Sequence, residues 1–219
     1  MQSCFDGLQL VSLALFLALF IGRTVTLRVQ RKINPIRLSL GKNGVHHALS
    51  LSLFIGVNLW AALVVITALH SEWWALPPAW GGRWFDHLAA KSVGAGLIVV
   101  AFAILVRALI DLGPSWRLGI DTKTPGELVT TGIYAFSRNP IYLFFDLYFL
   151  ATFLINGLGL FLLLAILAAI NLHAQIIQEE RFLARTFGAE YEAYRARTGR
   201  YLTWRRFWVH QEASYGRAV

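Results

Sequence analysis

The sequence has little charge and almost no cysteine. Of its 219 residues, 15% are charged and 57% are hydrophobic, whereas a soluble domain has about 25% charged and about 45–50% apolar residues. So few charges cannot cover the surface of a soluble enzyme, and the composition therefore indicates an integral membrane protein. The single cysteine, Cys4, excludes a disulfide framework and a thiolate metal site. We predict no bound metal.

Two signatures of soluble enzymes are also missing. Gly94-Ala95-Gly96 imitates part of a dinucleotide-binding fingerprint, but it lies inside an apolar stretch with no strand before it. We interpret these small residues as a site of close helix packing, and we expect no Rossmann domain. Serine and cysteine do not occur near a plausible base, so the sequence does not indicate covalent catalysis.

Four apolar stretches define the predicted membrane spans. The first three cover about residues 8–27, 48–69 and 88–110, and each is long enough to cross a bilayer. The fourth, about residues 141–177, contains Asn156-Gly157 near its middle, and this pair favours a turn. We therefore predict a hairpin with a short fourth helix and a fifth helix that continues into the charged tail. The expected fold is all-α with about five transmembrane helices, and four is the main alternative.

The basic residues are distributed unevenly between these spans. Eighteen of the 20 lysines and arginines follow the first span, lie between the third and fourth, or belong to the tail, and only Arg83 and Lys91 fall on the other side. The positive-inside rule then places the N-terminus outside and the C-terminus in the cytoplasm. We attribute the net charge of +8 to topology and to contact with membrane lipids, and we expect no nucleic-acid partner.

A long polar loop, residues 113–138, separates the third and fourth spans. It ends in Arg138-Asn139-Pro140, where Asn139 suits a helix cap and Pro140 suits the first helical turn. A helix start of this kind offers free backbone N–H groups that attract a carboxylate or phosphate. The tripeptide is interpreted either as an anion site or simply as a well-capped helix.

The last apolar helix carries a second polar group where it leaves the membrane. His173, Gln175, Glu179 and Glu180 follow directly on apolar residues. Neighbouring carboxylates at a membrane boundary are costly unless they are paired or solvated. This segment is interpreted either as functional or as a solvated helix exit. Asp146, inside the fourth helix, is expected to face the bundle interior or a partner.

Two motifs in this half of the chain resemble a known family. Residues 127–134 read ELVTTGIY and residues 138–142 read RNPIY. The tail has paired glutamates at 179 and 180, then Leu183, Phe187-Gly188, Tyr191 and Tyr194. The two motifs, in this order with one helical hairpin between them, resemble the signature of the isoprenylcysteine carboxyl methyltransferase family.

The resemblance implies an integral-membrane methyltransferase that uses S-adenosylmethionine without a Rossmann domain. It implies a cytoplasmic cofactor pocket between the loop that follows the third helix and the C-terminal helix. The predicted organisation is residues 1–111 for the first three transmembrane helices, 112–202 for the cofactor-binding and catalytic region, and 203–219 for a cytoplasmic tail. The expected acceptor is a lipophilic or small membrane-permeant carboxylate, thiol or amine.

Specific site residues follow from the resemblance. It implies Arg138 as a catalytic or acceptor-orienting residue, or as a ligand of the cofactor carboxylate, with His173 or Gln175 on the acceptor side. Asn139 stands where the family has histidine and cannot act as a base. Gln175 stands where the prenylcysteine enzymes have arginine, which disfavours a prenylated protein C-terminus as substrate. The implied cofactor-binding residues are Gly126, Glu127, Leu128, Val129, Gly132, Tyr134, Asn139, Pro140, Ile141, Tyr142, Glu179 and Glu180.

Other functions are compatible with the same motifs. Phospholipid N-methyltransferases share a similar paired-glutamate ending, and thiol methyltransferases share much of this scaffold. An NADPH-dependent membrane reductase of related scaffold is one alternative. The other is a non-catalytic membrane component whose pocket senses a ligand.

Overall fold

The computed structural model describes residues 2–30, 44–69, 82–113 and 126–203. Their regular structure is helical, apart from one isolated bridge between Arg83 and Leu158. The helices are α1 (Gln2–Gln30), α2 (Gly44–Ala68), α3 (Leu88–Leu112), a 3-10 turn (Gly132–Ala135), α4 (Pro140–Asn156), α5 (Gly159–Phe187) and α6 (Ala189–Arg197). The predicted all-α fold is confirmed. Residues 114–125 of the long loop and residues 204–219 of the predicted tail lie outside the described residues.

Four of these helices are long and apolar enough to cross a membrane, namely α1, α2, α3 and α5. The apolar α4 has 17 residues and is about 25 Å long at 1.5 Å per residue, against a hydrocarbon core of about 30 Å. Among the described residues, four helices therefore meet the length of a full span, and the expected fifth is the shorter α4. The chain is a multi-pass membrane protein.

The predicted hairpin between α4 and α5 is confirmed. Helix α4 ends at Asn156, and Gly157 adopts the left-handed conformation with φ of 64° while its N–H bonds to the Phe153 carbonyl. Helix α5 begins two residues later at Gly159. The Asn-Gly pair thus makes the turn because glycine adopts positive φ at little cost.

Aromatic rings pack α4 into the centre of the bundle. Phe144 of α4 is fully buried, and its ring centroid lies 5.7 Å from Phe16 of α1 and 5.4 Å from Phe102 of α3. One turn further along α4, the ring of Tyr148 lies 4.9 Å from that of Trp60 on α2. Helix α4 therefore contacts all three preceding helices, and it also forms the hairpin with α5.

Polar contacts reinforce this packing inside the membrane region. The hydroxyls of Ser12 and Tyr148 share a hydrogen bond of 2.7 Å, and Trp60 Nε1 donates to Thr152 Oγ1 at 2.9 Å. Hydrogen bonds between helices contribute to association where lipid supplies no hydrophobic driving force. They link α1 and α2 to the same face of α4.

Contacts at the two ends of the bundle define its layout. At the hairpin end, Asn156 Nδ2 donates to Gln9 Oε1 at 2.6 Å, and Trp84 N donates to the Gly157 carbonyl at 2.8 Å. At the opposite end, called the site end below, Arg23 donates to the carbonyl of Gly113 at the end of α3. Helix α4 begins at the site end and reaches the hairpin end, so it connects the two despite its length.

The interpretation of Gly94 as a packing residue is supported by the structure. A Cβ atom at Gly94 would lie 2.7 Å from the Ala151 carbonyl oxygen and 2.8 Å from Ile155 Cγ1 on α4. At Gly96, two residues later, a Cβ atom would meet nothing within 4 Å. Of these two glycines, only Gly94 is needed for the close contact between α3 and α4.

We predict that Gly94→Val lowers the free energy of unfolding by about 1–3 kcal/mol, because the added side chain overpacks the α3–α4 contact. The measurement is thermal unfolding of the purified protein in detergent. Gly96→Val is the matched control, and it should leave the unfolding temperature close to that of the wild type. Equal losses in both variants would contradict the packing role.

Candidate functional site

A buried carboxylate forms the centre of the polar cluster at the site end. Glu180 Oε1 accepts a hydrogen bond of 2.8 Å from Arg138 Nη2, and Glu180 Oε2 accepts one of 2.8 Å from Arg200 Nη2. The side chains of Arg138 and Glu180 are only 8% and 9% exposed. Asn139 Nδ2 makes a longer contact of 3.3 Å with the same carboxylate. Glu180 thus joins the start of α4 to the segment that follows α6.

That C-terminal segment, residues 198–203, is also fixed by backbone contacts. Arg138 N donates to the Gly199 carbonyl at 3.0 Å, and Arg138 Nη1 donates to the Thr198 carbonyl at 2.5 Å. Thr203 Oγ1 donates to the Phe136 carbonyl at 2.7 Å. The C-terminal segment therefore lies along residues 136–139 and covers the entry to α4.

Asn139 occupies the predicted cap position, but its side chain does not cap the helix. Its amide instead donates to the Arg200 carbonyl at 3.1 Å and contacts Glu180. The expectation of an asparagine side-chain cap was wrong, because the tertiary contacts to the C-terminal segment take the amide. Pro140 does stand in the first turn, as predicted.

Glu179, the other paired glutamate, has a different environment. Its Oε2 accepts a hydrogen bond of 2.9 Å from the Tyr142 hydroxyl. Among the described residues this is its single hydrogen-bond partner, and no arginine or lysine pairs with it. Burial raises the pKa of the nearby Tyr134 hydroxyl well above its usual range, and the Glu179 carboxylate adds to that rise. The half-buried Glu179 therefore lies beside two phenols, one that donates to it and one nearby.

The loop that contains Tyr134 is anchored to the end of α3. Asp111 Oδ2 accepts a hydrogen bond of 2.7 Å from Ile133 N and one of 2.9 Å from Arg107 Nε. Gly132 has φ of 62°, and a Cβ atom there would lie 2.0 Å from the Asp111 carboxylate. The close approach of Asp111 to the 3-10 turn therefore requires glycine at position 132.

The two predicted acceptor-side residues lie in different surroundings. His173 Nδ1 shares a hydrogen bond of 2.8 Å with the Tyr201 hydroxyl, and the two rings stack. Gln175 instead donates to Asn171 Oδ1 at 2.6 Å, and Asn171 donates in turn to Ser52 of α2. His173 thus joins α5 to the C-terminal segment, whereas Gln175 belongs to the contact between α5 and α2.

The structure brings together many of the predicted residues. Arg138, Asn139 and Glu180 form one bonded group, and Tyr142 and Glu179 form a second beside Tyr134. The segment 126–130 leads into the 3-10 turn without regular structure. The cofactor and catalytic roles of all the predicted residues stay predictions, both for those in these two groups and for Gly126, Glu127, Leu128, Val129, Gly132, Pro140, Ile141, His173 and Gln175.

Sequence reasoning missed Arg200 and the anchoring role of Asp111. Arg200 is one of several arginines in the tail, and the sequence alone does not distinguish it from the others. Asp111 lies four residues after Arg107, the spacing of an ion pair on a helix surface. That spacing could have flagged the pair, but not the contact with Ile133.

Four long apolar helices and a polar cluster at one end define a multi-pass membrane protein with a site between its last two membrane helices and the segments beside them. Residues 89–190 match the model of the phospholipid methyltransferase family, which includes membrane methyltransferases of the isoprenylcysteine type. The resemblance found in the sequence is confirmed at this level, and the match indicates a membrane methyltransferase. A comparison with curated proteins gives no match.

We predict that Gly132→Ala lowers the stability of the loop by more than the backbone strain of its positive φ accounts for, because the new Cβ atom also clashes with the Asp111 carboxylate. The matched control is Gly113→Ala, because Gly113 also has positive φ but a Cβ atom there would meet nothing within 4 Å. The control should lose about 1–2 kcal/mol of stability through backbone strain. Gly132→Ala should lose more and should speed hydrogen–deuterium exchange across residues 126–134. Indistinguishable effects would contradict the anchoring role of Asp111.

We predict that Glu180→Gln lowers the free energy of unfolding by about 3 kcal/mol, because it leaves the buried Arg138 guanidinium without a counter-charge. Chemical unfolding in detergent measures the loss. The control is Glu192→Gln, whose ion pair with Arg195 is more than half exposed at 3.4 Å and should contribute little. A Glu180→Gln variant as stable as this control would overturn the structural role of Glu180.

Proposed function

We propose that this protein transfers a methyl group from S-adenosylmethionine to a lipophilic or small membrane-permeant acceptor at the site end of the bundle. The observation that carries the proposal is the contrast between two neighbouring glutamates. Glu180 is fully compensated by Arg138 and Arg200, whereas Glu179 has a neutral tyrosine as its partner. Glu179 therefore offers a negative charge to a ligand.

The residues present suit this methyl donor. S-adenosylmethionine supplies an activated methyl group on a sulfonium ion and also carries an ammonium group and a carboxylate. A partly desolvated carboxylate such as Glu179 binds a cation through a strong, charge-assisted hydrogen bond. In the first turn of α4, the backbone N–H groups of Ile141 and Tyr142 have no intrahelical partner, since the first helical bond is made by Leu143 N, and such groups suit a carboxylate. Both charges of the methionine portion thus have a complementary group nearby.

The chain itself has three tasks in this proposal. Glu179 and the loop around Tyr134 hold the donor, and Tyr142 orients the Glu179 carboxylate through its hydrogen bond. Arg138 acts as a positioning residue, since its guanidinium is bonded to Glu180 and to backbone carbonyls. Methyl transfer then depends on alignment of the acceptor and on exclusion of water.

The same charges count against the reductase alternative. A nicotinamide dinucleotide phosphate carries several negative charges and needs free cationic partners. Among the described residues of the cluster, Arg138 and Arg200 are both engaged by Glu180, and Glu179 would repel a phosphate. The charge of this site therefore favours a cationic ligand.

Orientation in the membrane belongs to the same proposal. The site end carries Arg138, Arg200 and the end of α3, and the excess of basic residues in the sequence falls on this side. The positive-inside rule then places the site and the C-terminus in the cytoplasm, where the methyl donor is made available.

We predict that Glu179→Gln weakens binding of S-adenosylmethionine by about ten- to a hundredfold, the loss expected for one charge-assisted hydrogen bond. Calorimetry on detergent-purified protein measures the affinity, with S-adenosylhomocysteine and NADPH as parallel ligands. Glu190→Gln, at an exposed position of α6, is the matched control and should bind as the wild type does. Unchanged affinity in Glu179→Gln would remove Glu179 from the donor site.

The wild-type result also separates the alternatives. Saturable binding of the donor supports the methyltransferase. Binding of NADPH without the donor would favour a reductase. Binding of neither by folded protein would favour a non-catalytic component and would overturn the proposal.

A further inference from the structure

Asp146, in the middle of α4, is an acid that the proposed donor site does not use. Its side chain is half-buried, and its Oδ1 atom is buried without a hydrogen-bond partner among the described residues. A carboxylate within a membrane helix is costly unless it is paired or lines a functional pathway. Among the described residues, no lysine or arginine pairs with Asp146 to balance that cost.

The pairing of α4 with α5 places Asp146 relative to the donor site. Asn139 contacts Glu180, and Tyr142 contacts Glu179, so the two helices run antiparallel past each other. These two contacts place Asp146 opposite residues 173–175 of α5. Asp146 lies four residues after Tyr142, on the same face of α4 and one turn deeper in the bundle. A second polar layer, of Asp146 and His173, therefore lies deeper in the bundle than Glu179.

Tyr201 connects this second layer to the C-terminal segment. Its hydroxyl shares a hydrogen bond of 2.8 Å with His173 Nδ1. Burial, and then the nearby Asp146 carboxylate, raise the pKa of the Tyr201 hydroxyl. Asp146, His173 and Tyr201 thus form a group, called the deep layer below, where α4, α5 and the C-terminal segment meet.

We propose that Asp146 is the group that receives the proton of the methyl acceptor. This inference rests on the proposed function, since it assigns a role next to the donor site. The unpartnered Oδ1 atom provides the acceptor lone pair, and the nucleophilic group of the acceptor comes between Asp146 and Tyr142, which are one turn apart on α4. His173 and Tyr201 form hydrogen bonds to the other side of the acceptor's nucleophilic group.

The reaction balances with these groups alone. The nucleophilic atom of the acceptor forms a bond to the methyl carbon of the sulfonium donor. The carbon–sulfur bond breaks, and its electron pair stays on sulfur as a neutral thioether. The proton on the nucleophile passes to Asp146 Oδ1. The positive charge of the sulfonium and the negative charge of Asp146 are both lost, so no separated charge remains in the membrane region.

This role restricts the chemistry of the acceptor. A nucleophile that carries a proton, such as an amine, a thiol or a hydroxyl, both donates to Asp146 and loses its proton there. A carboxylate acceptor has no proton to transfer, and its charge would be repelled by Asp146 at low dielectric. The deep layer therefore selects proton-bearing acceptors and excludes fatty carboxylates.

The test uses four probes with the same dodecyl chain: dodecylamine, dodecanethiol, dodecanol and dodecanoate. Transfer of label from methyl-labelled S-adenosylmethionine is measured with wild-type protein and with Asp146→Asn, Asp146→Glu and Asp86→Asn. Donor affinity is measured for each by calorimetry, and thermal unfolding reports folding. Asp86 is an exposed acid before α3 and serves as the matched control.

We expect label on a proton-bearing probe and none on dodecanoate. Asp146→Asn should lose about a hundredfold in that transfer, the range of general base catalysis, while its donor affinity stays at the wild-type value. Asp146→Glu should retain part of the activity, and Asp86→Asn all of it. Asp146→Asn with wild-type transfer, a preference for dodecanoate, or bound donor with no probe labelled would overturn the proposal. Absence of donor binding to the wild type would instead overturn the proposed function.

Discussion

Burial of the Glu180 carboxylate at the edge of the membrane is unfavourable unless positive charge compensates it. Two arginines meet that requirement, and they come from opposite sides of the hairpin: Arg138 from the entry to α4 and Arg200 from the segment after α6. Arg138 lies just before the first residue of α4, and Arg200 belongs to the C-terminal segment. The ion pairs with Glu180 therefore fix where α4 begins and where the C-terminal segment lies. The start of α4 and the position of the C-terminal segment thus depend on one carboxylate.

The two adjacent glutamates, Glu179 and Glu180, have different partners. Neighbouring residues on a helix point about 100° apart, so Glu179 and Glu180 face different surroundings although they are adjacent in sequence. Glu180 turns toward the arginines, while Glu179 turns toward the Tyr142 hydroxyl and has no arginine or lysine partner among the described residues. In the proposed function, the Glu180 ion pairs keep the site rigid and Glu179 binds the cationic part of the methyl donor.

Much of the helical framework could be predicted from the sequence, since apolar length and a turn signal are local properties. The hairpin at Asn156-Gly157 and the packing role of Gly94 are examples. The pairing of Glu180 with Arg138 and Arg200 could not, because it joins residues 42 and 20 positions apart and the tail offers many arginines. The contacts of the Asn139 side chain could not be predicted for the same reason. Local sequence favours a helix cap, but its amide donates to the distant Arg200 carbonyl instead.

The position of Arg200 has a consequence for the biogenesis of the protein. Every membrane helix described here precedes it in the chain, so these helices can enter the membrane before Arg200 reaches Glu180. Until the C-terminal segment emerges and closes over residues 136–139, Glu180 has one arginine instead of two and the entry to α4 is uncovered. Membrane insertion and completion of the ion-pair group are therefore separable steps, and the C-terminal segment covers the entry to α4 only once α4 and α5 are in place.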